Sequence, residues 1–262
     1  MAFITVNGLR IHYGVGAPLT SARGPAVVFV HGAGGTQEQW RFQLRHLGPR
    51  WNTLAVDLPG HGESQGTGYR TIEEYRDFLR DLLDALGVFR TVLVGHSMGG
   101  GIVQKIALTY PDRLIALVLV GTGARLRVHP DILASVRHGD VQGAAQLISR
   151  WAYSEGVLSA TVAQGAEAFA RNRVETLEGD FLACDAFDVM QEIGRVQVPT
   201  QVVCGEHDRL TPMKYAHFLQ QHIPRASLAM IPGAGHMVML ERPMEVNRIL
   251  STFLEQHLHL PA

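Results

Sequence analysis

TVLVGHSMGGG (Thr91 to Gly101) is the stretch that decides the fold of this 262-residue chain. Thr91 to Val94 is a short run apolar on both faces, as a strand in the middle of a helix-covered sheet requires. It runs straight into Gly95-His96-Ser97-Met98-Gly99, and IVQKIALTY (Ile102 to Tyr110) follows as a helical segment. Strand, sharp turn and helix in that order are the setting of a G-x-S-x-G elbow. The turn is tight enough that the positions two before and two after the serine must lack bulk, which Gly95 and Gly99 supply. Gly100 and Gly101 are expected to let the helix lie close to neighbouring strands. Ser97 is then held in a strained backbone conformation, its hydroxyl free above the carboxyl ends of the strands. The helix N-terminus behind it favours developing negative charge. An ordinary surface serine in a chance Gly-rich turn does not account for glycines on both sides of it between a buried strand and a helix.

Outward from this stretch, similar runs recur: AVVFV (Ala26 to Val30), TLAVD (Thr53 to Asp57), ALVLVG (Ala116 to Gly121), QVVCG (Gln201 to Gly205) and SLAMI (Ser227 to Ile231). Their alternation with helical patterns predicts a doubly wound α/β architecture with a mostly parallel sheet. The start differs, because FITV and LRIHY flank Asn7-Gly8, a two-residue hairpin signal that makes the sheet begin antiparallel. Thr71-Ile72-Glu73-Glu74 has capping-box spacing ahead of Phe78, Leu79, Leu82, Leu83 and Leu86, and Gly87 ends that helix. Pro243 opens the last helix, with Val246, Ile249, Leu250, Phe253 and Leu254 on its buried face. Between Gly121 and Val198 the rhythm breaks into apolar residues at helical spacing (Ile132, Val136; Leu147, Ile148, Trp151; Phe169; Phe181, Leu182; Val189, Met190). This predicts a helical cap over residues 124–195, inserted into a core of residues 1–123 and 196–262.

Hydrophobic residues make up 46% of the chain and charged residues 18%, which suits a buried core rather than a disordered chain. A net charge of −1 with both signs scattered points to neither a nucleic acid nor an anionic membrane as partner. Cys184 and Cys204, the two cysteines, are too few for a disulfide scaffold and read as small buried residues, with a single bridge open. MAFITVNGLRIHYG carries no signal-peptide pattern, and no apolar run reaches the roughly 20 residues of a membrane span. The expectation is a cytoplasmic monomer or homodimer acting on a small molecule, without metal or cofactor.

Two more loops complete the chemistry. His31-Gly32-Ala33-Gly34-Gly35 follows AVVFV and offers backbone N–H groups to an oxyanion, with the N–H after the nucleophile as second donor. Ala33 and Met98 are the predicted donors, with Gly34 as the alternative to Ala33. A phosphate-binding loop is disfavoured by the missing G-K-[ST] and by the glycine spacing. His31 reads as a structural residue holding the loop. QVVCG leads to Glu206-His207-Asp208, and SLAMI leads to Gly233-Ala234-Gly235-His236. A serine hydroxyl is a poor nucleophile until an imidazole accepts its proton, and the imidazole needs a carboxylate to fix its tautomer. Ser97, Asp208 and His236 supply the set, with Glu206 as the rival to Asp208. Asp57 reads as the anchor of the Leu58 to Gly62 turn. An imidazole base must be neutral, so activity is expected to fall as acid protonates it.

HGAGG (31–35), DLPGHGES (57–64), GHSMGG (95–100), GEHD (205–208) and GAGH (233–236) together resemble the α/β-hydrolase superfamily, in its cap-bearing, carboxylesterase-like bacterial branch. The resemblance implies an eight-stranded, mostly parallel sheet flanked by helices, with its second strand antiparallel and a helical cap after the sixth. It also implies Ser97 as nucleophile, Asp208 as acid, His236 as base and Ala33 with Met98 as oxyanion amides. Members with an aspartate nucleophile are disfavoured by the serine at position 97. The expected reaction is hydrolysis of a small to medium apolar ester; lactone, C–C bond and perhydrolase chemistries use the same three residues. A small-molecule receptor on the same fold is the alternative of another class. Gly32, Trp151, Phe187, Met190, Met213, Met237 and Val238 are the expected pocket residues.

Overall fold

Asn7 and Gly8 both take positive φ, 51° and 79°. That is the geometry a two-residue hairpin needs to match the right-handed strand twist. The turn joins β1 (Ala2–Val6) to β2 (Leu9–Val15) in the antiparallel register Val6↔Leu9. The structure is a computed structural model and describes residues 2–20 and 24–258. The remaining strands are β3 (Ala26–Val30), β4 (Asn52–Val56), β5 (Thr91–His96), β6 (Leu114–Val120), β7 (Thr200–Gly205) and β8 (Ala226–Ile231). They form one eight-stranded sheet in the order β1-β2-β4-β3-β5-β6-β7-β8. β2 alone runs opposite to the other strands, pairing antiparallel with both β1 and β4, and the pairs from β4 to β8 are parallel. The strands form where the apolar runs predict them.

The central strands are buried on both faces because helices cover both. Val28, Val30, Leu54, Val56, Leu93, Leu117 and Leu119 face one layer of core, packed under α2 (Ile72–Ala85), α3 (Met98–Thr109) and α8 (Met213–His222). Val27, Phe29, Ala55, Val92, Val94, Val118 and Val120 face the other, under α1 (Arg41–Leu47) and α10 (Pro243–His257). Each fully buried Leu or Phe stabilises the fold by about 1.5–3 kcal/mol relative to an exposed one. Thr71 caps α2 by accepting from Glu74 N at 3.2 Å, but the Glu74 carboxylate takes Arg70 N, one residue earlier than a capping box requires. Gly87, at φ 68°, follows Leu86, the C-cap residue of that helix.

After β6 the chain leaves the sheet for α4 (Pro130–Arg137), α5 (Val141–Ala152), α6 (Ser159–Ala170) and α7 (Val174–Ala186) before returning in β7. Ile132, Val136, Ala144, Ala145, Phe169, Leu177 and Phe181 give this insertion its own small core. The later part of α7 joins the main core through Ala183 and Cys184. The short α9 (Val238–Glu241) lies just before α10.

Strand order reverses about β3, which has β4 on one side and β5 on the other. Loops leaving the carboxyl ends of β3 and β5 therefore diverge to opposite faces and leave a crevice between them. The loops carrying Gly32 and Ser97 leave the sheet there, and the insertion bridges the opening. No helix among the described residues is long and apolar enough to cross a membrane.

Candidate active site

Ser97 stands between β5 and α3 at φ 53° and ψ −117°, a strained conformation for any residue with a Cβ. Three backbone bonds hold the strain in place. Ser97 N donates to Val120 O at 3.0 Å, and Gly100 N and Gly101 N donate to Ser97 O at 2.9 and 3.3 Å. A Cβ on Gly95 would sit 2.3 Å from Gly99 O, and one on Gly99 would sit 2.4 Å from Val30 O and 2.5 Å from His31 O. The elbow needs both glycines because backbone approaches backbone there. A Cβ on Gly100 would sit 2.5 Å from the Thr122 side chain, whereas one on Gly101 would meet only the Phe187 ring, at an ordinary 3.4 Å. The close approach expected of Gly101 is therefore absent.

His236 and Asp208 meet across the ends of β8 and β7. His236 Nδ1 lies 2.9 Å from Asp208 Oδ2, and Thr211 Oγ1 donates to the same oxygen at 2.8 Å while lying 3.2 Å from Nδ1. Asp208 Oδ1 accepts from Leu210 N at 2.9 Å and Thr211 N at 2.8 Å. Burial alone would raise the Asp208 pKa. The His236 charge and hydrogen bond, with those from Thr211, outweigh it and hold the carboxyl below the usual aspartate value. Glu206 does not take part: it is exposed and accepts from Gly233 N at 2.9 Å, tying its own loop to the next. Thr211 carries no sequence signal, and only the turn of its loop brings it to the pair.

His96, beside the serine, packs against His236 with the two rings tilted and their centroids 4.6 Å apart, and its Nε2 lies 3.1 Å from His236 O. Burial first, then the His236 charge, push its pKa well below the ordinary imidazole value, so it stays neutral and donates Nε2–H to that carbonyl. The backbone of the His236 loop is also held from the insertion. Ala152 O, at the end of α5, accepts His236 N at 2.8 Å and Met237 N at 3.1 Å. Glu241 Oε2 accepts both Gly235 N at 3.0 Å and Ser154 Oγ at 2.5 Å.

In the loop after β3, the amides are distinguishable. Gly34 N donates to Asp180 Oδ2 at 2.8 Å and Gly35 N to Gly32 O at 3.0 Å, while Ala33 N has no protein partner among the described residues. Of the two candidate amides, that of Gly34 is thereby already engaged. Met98 begins α3 and carries one of the orphan N–H groups that a helix start leaves. His31 holds the loop as expected: Nδ1 donates to Gly32 O at 2.8 Å and Nε2 accepts Leu58 N at 3.0 Å. Burial, and then the His61 charge, lower its pKa to about 4. Asp57 anchors its turn, accepting Gln37 N at 2.7 Å and Glu63 N at 3.2 Å, with His12 Nδ1 at 2.7 Å.

Ser97 and His236 share the wall of one cavity of about 450 Å³, roofed by the insertion. Neither the Ser97 hydroxyl nor His236 Nε2 is engaged by any protein group among the described residues. Of the expected pocket residues, Gly32 and Met237 border the cavity. Trp151, Phe187, Met190, Met213 and Val238 do not. Phe187, Met190 and Met213 pack in the core layer under α3 and α8, Val238 is fully buried under α10, and Trp151 packs against the His129 ring at 4.9 Å. The cap residues that reach the cavity include Ile132, Ile148, Tyr153, Phe169 and Phe181. Cys184 and Cys204 are buried free thiols, as read from the sequence. No group of three or more His, Cys, Asp or Glu among the described residues is arranged to hold a metal ion.

With this geometry in view, the chain is similar to a solved thermophilic esterase at 36% identity, covering 98% of each chain with a TM-score of 0.86. An N-acyl homoserine lactone degrading enzyme of known structure is 28% identical, covering 96% of this chain and all of the other, with a TM-score of 0.83. Among curated relatives, a 2-hydroxy-6-oxo-6-phenylhexa-2,4-dienoate hydrolase of Burkholderia cepacia is 25% identical over 280 aligned positions, covering 96% of this chain and 95% of that protein. Residues 27–249, from β3 into α10 and including the insertion, match the family described as "Alpha/beta hydrolase family", and the chain belongs to it.

Proposed function

We propose that this hydrolase cleaves carboxylic esters by acyl transfer through Ser97, on small to medium acyl substrates whose apolar part sits under the cap. The observation that carries the reading is the meeting of a strained Ser97, a His236 bonded to Asp208, and an unengaged Ala33 amide around one cavity. In this reading His236 Nδ1–H donates to Asp208, which leaves Nε2 as the acceptor for the Ser97 proton. The hydrogen bond between Ser97 Oγ and His236 Nε2 forms when substrate enters. Ser97 Oγ attacks the ester carbon, and the oxyanion accepts from the Ala33 and Met98 amides. His236 then returns the proton to the leaving alcohol, and water repeats the sequence on the acyl-enzyme. The cavity is of ordinary size for a small-molecule site, and its apolar cap side suits an acyl chain.

A lactone is the second reading, supported by the similarity to the lactone-degrading enzyme. Hydrolysis of p-nitrophenyl esters of rising chain length, beside a panel of lactones, separates the two by kcat/KM. Ser97→Ala is expected to abolish turnover of whichever class is accepted, and a fluorophosphonate is expected to label wild type at Ser97 alone. Turnover that survives both would overturn the acyl-transfer reading.

A further inference from the structure

The cap does more than roof the cavity, because it holds the loop that carries the Ala33 amide. Gly34, the next residue, is gripped from the cap on every side. Its N–H donates to Asp180 Oδ2 at 2.8 Å, and its carbonyl accepts from Asn172 Nδ2 at 2.8 Å. Its α-carbon lies against Phe169 and Leu177 so closely that a Cβ would sit 2.5 Å from the Phe169 ring. Gly34 takes φ 62°, so the peptide that follows Ala33 is turned by a conformation these contacts stabilise.

Asp180 is completely buried in α7 and is itself held by the core. Its Oδ1 accepts from the Tyr75 hydroxyl at 2.5 Å, and its Oδ2 also faces His61 Nε2 at 2.8 Å. His61 Nδ1 faces Pro59 O at 3.1 Å, so both ring nitrogens face acceptors and both donate. Burial would lower the His61 pKa, but the Asp180 charge and hydrogen bond outweigh it and raise it. A buried carboxylate with this many donors sits in one place, because losing any of them leaves a buried polar group unpaired.

We propose that Asp180 is a positioning residue for the oxyanion site. By fixing the Gly34 amide it sets the Ala33 amide, so the oxyanion hole is complete only when α7 is docked on the core. The inference rests on the acyl-transfer reading, and the experiment separates the two. Wild type, Asp180→Ala and Asp180→Asn are compared for kcat and KM on one p-nitrophenyl ester, and for inhibition by a trifluoromethyl ketone, whose hemiketal oxyanion needs the same amides. Losing an oxyanion donor outright costs about 10²–10³ in kcat. Loosening one is expected to lower kcat by roughly 10–100-fold in Asp180→Ala, with KM within about threefold and ketone affinity falling in parallel with kcat/KM. Asp180→Asn, whose amide oxygen can still accept from Gly34 and His61, is expected to recover most of the rate.

Leu250→Ala, a cavity in α10 in the core layer on the other face of the sheet from the one α7 joins, serves as a control for stability loss alone and is expected to leave kcat within about threefold. Should Asp180→Ala not fold, Tyr75→Phe removes the bond to Oδ1, together with the one its hydroxyl accepts from Tyr69 N, while leaving the Asp180 carboxylate in place, and is read the same way, with a fall in kcat of about threefold or more expected. An unchanged kcat and ketone affinity in the folded variant would overturn the positioning role, as would an equal loss in Leu250→Ala. Failure of wild type to react with the ketone or a fluorophosphonate at Ser97 would instead overturn the acyl-transfer reading beneath it.

Discussion

Three consecutive glycines follow Met98, and the structure assigns them opposite fates on substitution by alanine. At Gly101 a methyl has ordinary room, 3.4 Å from the Phe187 ring, and the residue lies inside α3. Replacing a helical glycine there restricts the unfolded chain and is expected to stabilise by about 0.5–1 kcal/mol. At Gly100 the methyl would overlap the Thr122 side chain at 2.5 Å, and Thr122 Oγ1 donates to Ser97 O at 2.8 Å. Overpacking of this kind costs about 1–3 kcal/mol. At Gly99 the methyl would meet the carbonyl oxygens of Val30 and His31 at 2.4 and 2.5 Å, atoms locked into the parallel sheet and its exit loop. No rotamer relieves that overlap, so α3 must move away from β3, at a cost near the upper end of the same range or beyond it. At roughly 2–4 °C per kcal/mol for a chain of this size, Gly101→Ala is expected to raise Tm by about 1–4 °C. Gly99→Ala is expected to lower it by about 6–12 °C. Activity separates them further. The Gly99 shift moves Ser97 relative to Gly32, whose α-carbon is so close that a Cβ would lie 3.0 Å from Ser97 Cβ. A displacement of about 1 Å between reacting groups can cost on the order of 10²-fold in rate. Thermal melts and the rate of fluorophosphonate labelling at Ser97 read both effects. A Gly99→Ala protein as stable and reactive as wild type, or a destabilised Gly101→Ala, would refute the packing argument for the elbow.

Asp208→Asn is expected to lower kcat by about 10³–10⁴-fold through loss of the correct imidazole tautomer, while Glu206→Gln stays within about threefold; steady-state kinetics of the two variants decide which carboxylate serves the imidazole. Phe169→Ala opens the cavity above Gly34 and is expected to shift the kcat/KM optimum toward longer p-nitrophenyl esters, by about 1–3 kcal/mol for the best-fitting chain. Stability should also fall on the acid side. His31 takes up its proton near pH 6.5 when unfolded but only at about pH 4 when folded, so the unfolded state binds more protons in that window and stability decreases as pH is lowered through it. The full effect of His31 is about 3 kcal/mol, and His96 acts in the same direction. His61 acts oppositely: its raised pKa stabilises below pH 6.5, and that contribution is lost as pH rises through its folded value. Tm measured from pH 8 to 4.5 is therefore expected to peak near neutrality, and a flat profile down to pH 4.5 would contradict the buried state of His31 and His96.

Much of this architecture is written locally. The Asn7-Gly8 hairpin, the strand runs apolar on both faces, the Gly87 stop and the Gly95-Ser97-Gly99 elbow each depend on residues within a few positions of one another. Local conformational and periodicity rules therefore reach them. The order of loops carrying Ser97, Asp208 and His236 was legible for the same reason, since each follows its own apolar strand run. What the chain alone left open was decided by contacts between distant segments. Asp208 prevails over Glu206 because the turn through Thr211 aims one carboxylate inward, while the other closes onto Gly233. The acyl-transfer reading takes Ala33 rather than Gly34 because Asp180, 146 residues away, already holds the Gly34 amide. Phe187, Met190, Met213 and Val238 pack in the core rather than the pocket, since an apolar residue carries no label saying which buried surface it will join. Asp180 itself had no motif to announce it, as the donors that fix it come from three separate segments of the core. Sequence by itself determined the sheet, the elbow and the kind of chemistry offered at its edge, because those follow from neighbours along the chain; only the tertiary structure decided which carboxylate, which amide and which cap residues meet there, because those follow from neighbours in space.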